Sequence, residues 1–345
     1  MSEQVLVSGA NGFIASHSIA QLLEQGKRVI GTVRNPNDAT RTAHLRALPG
    51  AEAGLTLVAA DLTAADPFSA YIDVDAVLHM ASPYVLTVQD AQKDLVDPAV
   101  QGTVSMLRAA AKSPRVKKVV LTSSMAAITD EPDGRVLTEA DWNEKSTLTR
   151  NAYYYSKTMA ERAAWDFMER EKPGFELIVI NPFMVIGPAL SSEVNTSNQI
   201  LVDVAAGIYP AILALEWGFV DVRDVADAHV RTLFASGAKG RYICAAGNRN
   251  MAQVVQLIRK AGAASAKLPS LNLAHGLGTG LMTLASYAQP AGVGSYLRTH
   301  LGRVPRFSNS KIQADLGLKF RDVDQTIIDT VQDLIRLGHM PAAKG

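Results

Sequence analysis

Tyr153 and Lys157 lie four residues apart, near the start of a helix predicted over 152–172, so their side chains share one face. A tyrosine can donate a proton near neutral pH only when its pKa falls from about 10, and a decrease of about 3 corresponds to about 4 kcal/mol. The ammonium group of a neighbouring lysine favours that decrease. Ser124 follows a predicted strand, at the sheet edge where ligands bind, and its hydroxyl can hold a carbonyl oxygen. Together these side chains predict proton transfer during the interconversion of a carbonyl and an alcohol.

The tyrosine–lysine spacing is weak evidence by itself, because chance produces it often. Tyr154 and Tyr155 follow directly, so Tyr153 is preferred on spacing alone. Two alternatives stay open: Lys157 as an ordinary surface lysine, and Ser123 or Ser124 as a helix cap. The prediction gains strength from a glycine-rich turn that stands in the right order along the chain.

That turn joins the first predicted strand, 5–7, to the first predicted helix, 13–25. Glycine permits a tight turn and the close approach of a pyrophosphate, while the helix N-terminus offers unpaired N–H groups and partial positive charge. Two glycines near a turn are common, but their placement here predicts a dinucleotide site. The predicted contacts are Gly9, Asn11, Gly12, Phe13 and Ile14.

Arg34 ends the second predicted strand, where enzymes that use NAD place a carboxylate for the ribose 2′-OH. No acidic residue follows until Asp38. A guanidinium can pair with a 2′-phosphate through two hydrogen bonds, so we expect NADP(H) as the cofactor. The alternative is a solvated charge at a strand end.

Further cofactor contacts are predicted after the third and fourth strands. Asp61, followed by Leu62, can accept a hydrogen bond from the adenine amine, or it can cap a helix. Ala81 and Ser82 are small residues that allow a cofactor to pass the end of the fourth strand.

Short β-branched runs alternate with helical patterns through the first half of the chain, which predicts a parallel sheet with helices on both faces. The expected fold class is therefore α/β, a doubly wound (Rossmann) sheet with a smaller C-terminal substrate-binding cap. We expect the dinucleotide-binding domain over 1–182, with 216–248 returning to it, and the cap over 183–215 and 249–320. A C-terminal helix and tail are expected over 321–345. The other predicted strands cover 28–33, 55–59, 76–79, 116–122 and 177–180, and a helix is predicted over 323–337. Another helix is predicted over 97–112, with Asp97 as its N-cap and Pro98 in its first turn.

The composition argues against several classes of function. The chain has 34 Lys and Arg residues and 33 Asp and Glu residues. Its net charge of +1 provides no electrostatic attraction for nucleic acid. The uncharged stretch 276–297 has the length of a membrane span, but Pro290 and several glycines and hydroxyls favour an apolar wall over a substrate pocket. Cys244 lies in an apolar stretch and predicts a buried thiol. With no signal-peptide pattern, we expect a cytoplasmic monomer or homodimer without a metal site.

Several segments between residue 5 and about residue 245 resemble the extended short-chain dehydrogenase/reductases. Within them the chain is most similar to the group of dihydroflavonol reductase, cinnamoyl-CoA reductase and yeast-type aldehyde/ketone reductases. The resemblance implies Ser124, Tyr153 and Lys157 as a catalytic triad, and Pro182 and Val185 beside the nicotinamide. It also implies a structural turn over 221–225. The matching segments are 9–15, 32–36, 122–124, 151–157, 181–188 and 220–226.

The chain also departs from this group. Gln101 stands where relatives often carry an asparagine, which argues against a proton relay through that residue. Thr129 lies where flavonoid reductases carry a substrate-binding asparagine, so flavonoid activity is not implied. Apolar residues of 262–300 are predicted to line a pocket for a hydrophobic aldehyde or ketone, with core packing as the alternative. The other predicted pocket residues are Tyr84, Met125, Thr129, Phe183 and Tyr209.

These patterns predict an NADPH-dependent reductase of apolar or aromatic aldehydes or ketones. The first rival is a sugar-nucleotide epimerase or dehydratase on the same fold. An epimerase would need NAD and an acid in place of Arg34, and a dehydratase an acid in place of Met125. The second rival, a dinucleotide sensor without catalysis, would be expected to lose Tyr153 or Lys157, and both are present.

Overall fold

A computed structural model describes residues 3–82, 88–264 and 267–343. The strands are β1 (Gln4–Ser8), β2 (Arg28–Val33), β3 (Leu55–Ala59), β4 (Ala76–His79), β5 (Lys118–Thr122), β6 (Glu176–Pro182), β7 (Met184–Ile186), β8 (Glu216–Asp221), β9 (Gly240–Cys244) and β10 (Gly247–Asn250). The helices are α1 (Phe13–Glu24), α2 (Ala39–Arg46), α3 (Ala51–Gly54), α4 (Asp97–Lys112), α5 (Ala152–Glu171), α6 (Thr196–Ala206), α7 (Val222–Phe234), α8 (Met251–Lys260), α9 (Gly276–Ala285), α10 (Ala291–His300), α11 (Ser310–Leu316) and α12 (Val323–Arg336).

Seven strands form one parallel sheet in the order β3-β2-β1-β4-β5-β6-β9. Successive residues of each strand face opposite sides, so Val5 and Val7 pack with α1 and α7, and Leu6 packs with α4 and α5. Helices cover both faces, which confirms the predicted doubly wound fold. The strand order reverses between β1 and β4, and the segments after these two strands meet at the crevice where such sheets bind ligands.

A second, three-stranded sheet of order β10-β8-β7 supports a separate hydrophobic core. Trp217 and Phe219 of β8 pack there with Val254 of α8, Leu297 of α10 and Ile327 of α12. After β8 the chain returns to the main sheet, because α7 packs against α1 and β9 pairs with β6. The chain therefore crosses repeatedly between two cores, and the expected domain boundaries stay a prediction.

Helix α4 begins differently from the expectation. A π-helical turn, Gln92–Val96, runs directly into α4, and the backbone of Asp97 is already helical with φ −58° and ψ −48°. The predicted N-cap role of Asp97 is therefore wrong, because the helical path starts before it. The wide turn stands just before Pro98, whose nitrogen cannot donate to the helix ladder.

The uncharged stretch forms α9 and α10, joined through a single 3-10 turn, Ser286–Ala288. Among the described residues, no helix combines the length and the apolar character that crossing a bilayer requires. Cys244 is buried in the main core, and burial raises the pKa of its thiol, as predicted for a structural cysteine.

Candidate active site

Lys157 connects the long helix α5 to the end of β4. Its Nζ donates a hydrogen bond to Ser82 Oγ at 2.8 Å and lies 5.8 Å from the centre of the Tyr153 ring. Tyr153 and Lys157 occupy the first two turns of α5. The structure thus brings three of the predicted site residues together at the carboxyl edge of the main sheet.

The consecutive tyrosines have different surroundings. The side chain of Tyr153 is 51% exposed and lies beside Lys157. Tyr154 faces His300 of α10, with 5.9 Å between ring centres, and burial raises the pKa of Tyr154 well above its ordinary value. A phenol with a raised pKa is a poorer proton donor, so the surroundings favour Tyr153 over Tyr154.

Ser124 has an extended backbone and precedes a single 3-10 turn, Met125–Ala127. Its Oγ accepts a hydrogen bond from the backbone N–H of Ala126 at 3.1 Å, so the hydroxyl does cap a helical turn. Because that bond uses an acceptor site, the hydroxyl hydrogen remains available to donate. Capping and donation to a carbonyl oxygen are therefore compatible.

Helix α5 begins at a residue in the left-handed region. Asn151 has φ 51° and ψ 55°, a conformation that is costly for a side chain other than glycine. Its Nδ2 donates to Asp130 Oδ1 at 2.6 Å and to Thr299 Oγ1 at 3.3 Å. The carboxylate of Asp130 is fully buried and also pairs with Arg150. The start of α5 is consequently tied to the loop after β5 and to helix α10.

A buried histidine supports the backbone beside the glycine-rich turn. Ser8 Oγ accepts hydrogen bonds from the N–H groups of Met80 and Ala81, both at 3.0 Å, and lies 2.8 Å from His79 Nδ1. The serine must therefore donate to Nδ1, which places the histidine proton on Nε2. Burial, and then the charge of Lys157, lower the pKa of His79 to about 3. His79 is thus a neutral, structural group.

The glycine-rich turn approaches that backbone closely. Gly9 has φ 66°, and a Cβ built there would lie 2.9 Å from the Cα of Ala81. Gly12 is the N-cap of α1 and carries no side chain to cover the first N–H groups of the helix. A phosphate can therefore reach these groups, and the cradle fits the pyrophosphate of a dinucleotide. Asn11, Phe13 and Ile14 are partly buried around this turn.

Arg34 is exposed just after β2. Asp61 Oδ1 accepts hydrogen bonds from the N–H of Thr63 at 2.9 Å and its hydroxyl at 2.8 Å. These bonds, followed by the charge of Arg34, lower the pKa of Asp61. The carboxylate of Asp61 thus stabilises a local turn, a role similar to the helix cap that was the alternative to adenine binding. Leu62 packs against Gly102 of α4.

The residues predicted around the substrate fall into different surroundings. Met125 is buried in a small core, against which Phe183 and Phe307 pack, with 5.9 Å between the two phenylalanine ring centres. Tyr209 packs against the core of the second sheet, and Thr129 donates to the backbone carbonyl of Glu131 at 2.7 Å. Pro182 and Val185 are buried at the end of β6 and in β7. Tyr84 lies outside the described residues. The assignment of Met125, Thr129 and Tyr209 to a substrate pocket therefore stays a prediction.

Helix α9 exposes a row of large apolar side chains. Leu277, Leu281 and Leu284 are 87%, 60% and 71% exposed, and Tyr287 in the next turn is 72% exposed. On its other side Met282 packs against the core of the second sheet. The helix is therefore apolar on both sides, beside the α10 helix that contacts the start of α5.

Sequence reasoning missed the polar groups that lie behind the site. Thr122 Oγ1 lies 2.8 Å from His229 Nε2, and the other ring nitrogen of His229 lies 2.7 Å from the carbonyl of Val225. Glu161 lies one further step of four residues after Lys157 and is buried against Arg241. The repeated spacing of four was the available signal for Glu161. Ser8, His79 and Asn151 offered no comparable pattern.

Comparison with known proteins identifies the family to which this chain belongs. The family model described as "NAD dependent epimerase/dehydratase family" matches residues 5–245. Cinnamoyl-CoA reductase 1 of Arabidopsis thaliana is 36% identical over 97% of this chain and 90% of its own length. Tetraketide alpha-pyrone reductase 1 of the same plant is 33% identical, over 98% of this chain and 97% of its own length.

Several solved structures also resemble this chain in fold. The structure of Gre2 from Candida albicans in complex with NADPH has a TM-score of 0.80 and 31% identity, and it covers 97% of this chain and 99% of its own. A UDP-glucose-4-epimerase structure with bound NAD, from Stenotrophomonas maltophila, has a TM-score of 0.72 but 19% identity, so it supports the fold alone. The chain belongs to the NAD dependent epimerase/dehydratase family, the extended short-chain dehydrogenase/reductases.

Proposed function

We propose that the protein reduces apolar or aromatic aldehydes or ketones with NADPH, using Tyr153 as the proton donor. The observation that carries the proposal is the placement of Lys157 between an exposed Tyr153 and Ser82, at the crevice beside the glycine-rich turn. Relatives over nearly the whole chain are named reductases, and a structural neighbour was solved with NADPH, which supports NADP-dependent carbonyl reduction.

Each side chain has a defined task in this reaction. The cofactor, when bound, supplies a hydride to the carbonyl carbon. Ser124 donates its free hydroxyl hydrogen to the carbonyl oxygen and stabilises the negative charge that develops there. Tyr153 then transfers its phenolic proton to that oxygen, which completes the alcohol. The ammonium group of Lys157 stabilises the resulting phenolate.

The residues that would hold the cofactor lie around β1, β2 and β4. Gly9 and Gly12 leave room for the pyrophosphate at the start of α1, and Arg34 is free to reach a 2′-phosphate from the end of β2. Ser82 and Lys157 mark the side of the crevice where the reacting end of the cofactor belongs.

The substrate class rests on the apolar character of the cap. Helix α9 exposes the apolar side chains of Leu277, Leu281 and Leu284 to solvent. A short 3-10 turn joins this helix to α10. Helix α10 contacts α5 next to Tyr153, through Thr299 and His300. A hydrophobic carbonyl compound would bury part of this surface, whereas a sugar nucleotide would bring polar groups to it.

The proposal is tested by following NADPH and NADH oxidation over a panel of aldehydes, ketones and acyl thioesters. Tyr153→Phe should reduce turnover by at least about 100-fold with little change in NADPH affinity, because only the proton donor is lost. Tyr155→Phe is the matched control, since it removes a hydroxyl two residues further along α5. Retained turnover in Tyr153→Phe would refute the assigned proton donor.

Other outcomes would identify the rivals. Tight NADPH binding without turnover of any panel member would favour the sensing protein. Interconversion of a sugar nucleotide with tightly held NAD would favour the epimerase.

A further inference from the structure

Glu161 extends the face of α5 that carries Tyr153 and Lys157, at the next step of four residues. Its carboxylate is fully buried, and Arg241 Nε donates to Glu161 Oε1 at 2.5 Å. Both charges are removed from water, since the Arg241 side chain is only 7% exposed. The buried ion pair therefore lies about one helical turn from Lys157.

Trp165 Nε1, on α5 itself, donates to Glu161 Oε1 at 3.4 Å, and the other donors come from three neighbouring strands or the residue directly after one of them. Ser123 Oγ, directly after β5, donates at 2.5 Å, and Asn181 Nδ2 of β6 donates at 2.7 Å to the same oxygen. Arg241 belongs to β9, the next strand of the sheet. One carboxylate of α5 thus joins the carboxyl ends of β5 and β6 to the first half of β9.

The same atoms fix the segment that carries Ser124. Asn181 Nδ2 also donates to the backbone carbonyl of Ser124 at 3.1 Å. Arg241 donates to the carbonyl of Ala127 at 3.3 Å, at the end of the 3-10 turn. The residue before Ser124, Ser124 itself and the turn after it are therefore all anchored to this cluster.

A carboxylate suits this position better than any neutral side chain. It offers only acceptor sites, about four of them, so several donors can converge without one facing another donor. The amide of Asn181 has its nitrogen committed to Glu161 and Ser124, and within the described chain its buried Oδ1 has no hydrogen-bond partner. That unpaired oxygen indicates that the orientation of Asn181 is dictated by the cluster.

We propose that Glu161 is a positioning residue, which sets Ser124 at the correct distance from Tyr153 and Lys157. The helix that carries the proton donor and the loop that carries the carbonyl-binding hydroxyl are separate elements. Glu161 lies on the first and holds the second through Ser123 and Asn181, so their relative placement depends on it. This inference rests on the proposed function, because it assigns Ser124 its role at the carbonyl oxygen.

The test begins with Ser123→Ala, because Glu161→Gln leaves Arg241 buried without its counter-charge and can prevent folding. Ser123→Ala removes a single donor from Glu161. We expect kcat to fall about 10-fold, since small displacements of a reacting group are costly. KM, NADPH affinity and the pH profile of kcat should stay unchanged, because no charge and no ligand contact is lost. Thr330→Val is the matched control, because it removes another fully buried hydroxyl, which donates to the carbonyl of Thr326 within α12.

A double-mutant cycle with Ser124→Ala makes the test specific. If Ser123 acts by placing Ser124, then Ser123→Ala should change kcat less than about 2-fold once the Ser124 hydroxyl is absent. An equal loss in both backgrounds, a wild-type kcat, a shifted pH profile, or a similar loss in the Thr330→Val control would each overturn the inference. Full activity of Tyr153→Phe or of Ser124→Ala would instead refute the proposed function, so the two failures can be told apart.

Discussion

Three buried histidines should make the folded protein lose stability as the pH falls below neutrality. Burial lowers the pKa of His79 to about 3, that of His229 to about 4 and that of His300 to about 4. An unfolded histidine has a pKa near 6.5, so all three are neutral in the folded state while they take up protons on unfolding.

The sign and size follow from proton linkage. At about pH 8, well above 6.5, neither state binds these protons appreciably, so the histidines have almost no effect on stability. As the pH falls from 6.5 toward 4 the unfolded state binds more protons, so the free energy of unfolding decreases. At pH 5, relative to pH 8, each histidine lowers the free energy of unfolding by about 2 kcal/mol. The three together lower it by about 6 kcal/mol.

The substitution His229→Gln measures the contribution of one histidine to this pH dependence of stability. A glutamine can accept from Thr122 and donate to Val225 as the neutral histidine does, but it does not titrate. Thermal unfolding is measured for wild type and variant between pH 8 and pH 5. The wild type should lose about 2 kcal/mol more than the variant, which is about 3 °C in Tm for a chain of this size.

Thr232→Val is the matched control, because Thr232 is buried on the same helix, where its hydroxyl donates to the carbonyl of Ala228, and it does not titrate. The pH dependence of its Tm should equal that of the wild type. A Tm difference between wild type and His229→Gln that stays constant from pH 8 to pH 5 would refute the reasoning.

Three further changes test the cofactor cradle and the start of α5. Gly9→Ala places a Cβ against Ala81 in a left-handed backbone, so NADPH affinity, measured by fluorescence titration, should fall at least about 10-fold. Arg34→Asp should shift the ratio of kcat/KM for NADPH over NADH toward NADH by about 100-fold, because a carboxylate repels the 2′-phosphate. Asn151→Gly should keep the left-handed start of α5 and lose less Tm than Asn151→Ala, which must also strain the backbone.

A control variant or a contradicting outcome tests each of these three predictions. Gly26 has a similar φ of 68° with open space around a Cβ, so Gly26→Ala should lose stability without losing NADPH affinity. An unchanged cofactor ratio in Arg34→Asp would show that the 2′-phosphate binds elsewhere. Equal Tm values for the two Asn151 variants would show that its backbone conformation carries no strain.

The main sheet could be predicted because its signals are local. Buried parallel strands are continuous apolar runs, and the helices between them repeat apolar residues with helical spacing. Tyr153, Lys157 and the glycine-rich turn could be selected for the same reason, since spacing within one element decides which side chains share a face. Even the lone Cys244 was placed correctly from its apolar neighbours.

What sequence reasoning missed depends on contacts between distant segments. Glu161 meets Ser123, Asn181 and Arg241 across as many as 80 residues, and no local pattern specifies those partners. The substrate pocket is difficult to assign from the sequence for a related reason. Met125 and Tyr209 are apolar or aromatic, as core and pocket residues both are, and the packing of the cap decides which they become.

The repeated crossing of the chain between its two cores has a consequence for biosynthesis. The core beneath α1 and α7 also contains Ile312 and Leu316 of α11, and the core of the second sheet contains Ile327 and Val331 of α12. Neither core is complete until the last helices have left the ribosome. A nascent chain therefore carries exposed apolar surface through most of its synthesis, and early termination before residue 310 leaves both cores open at once.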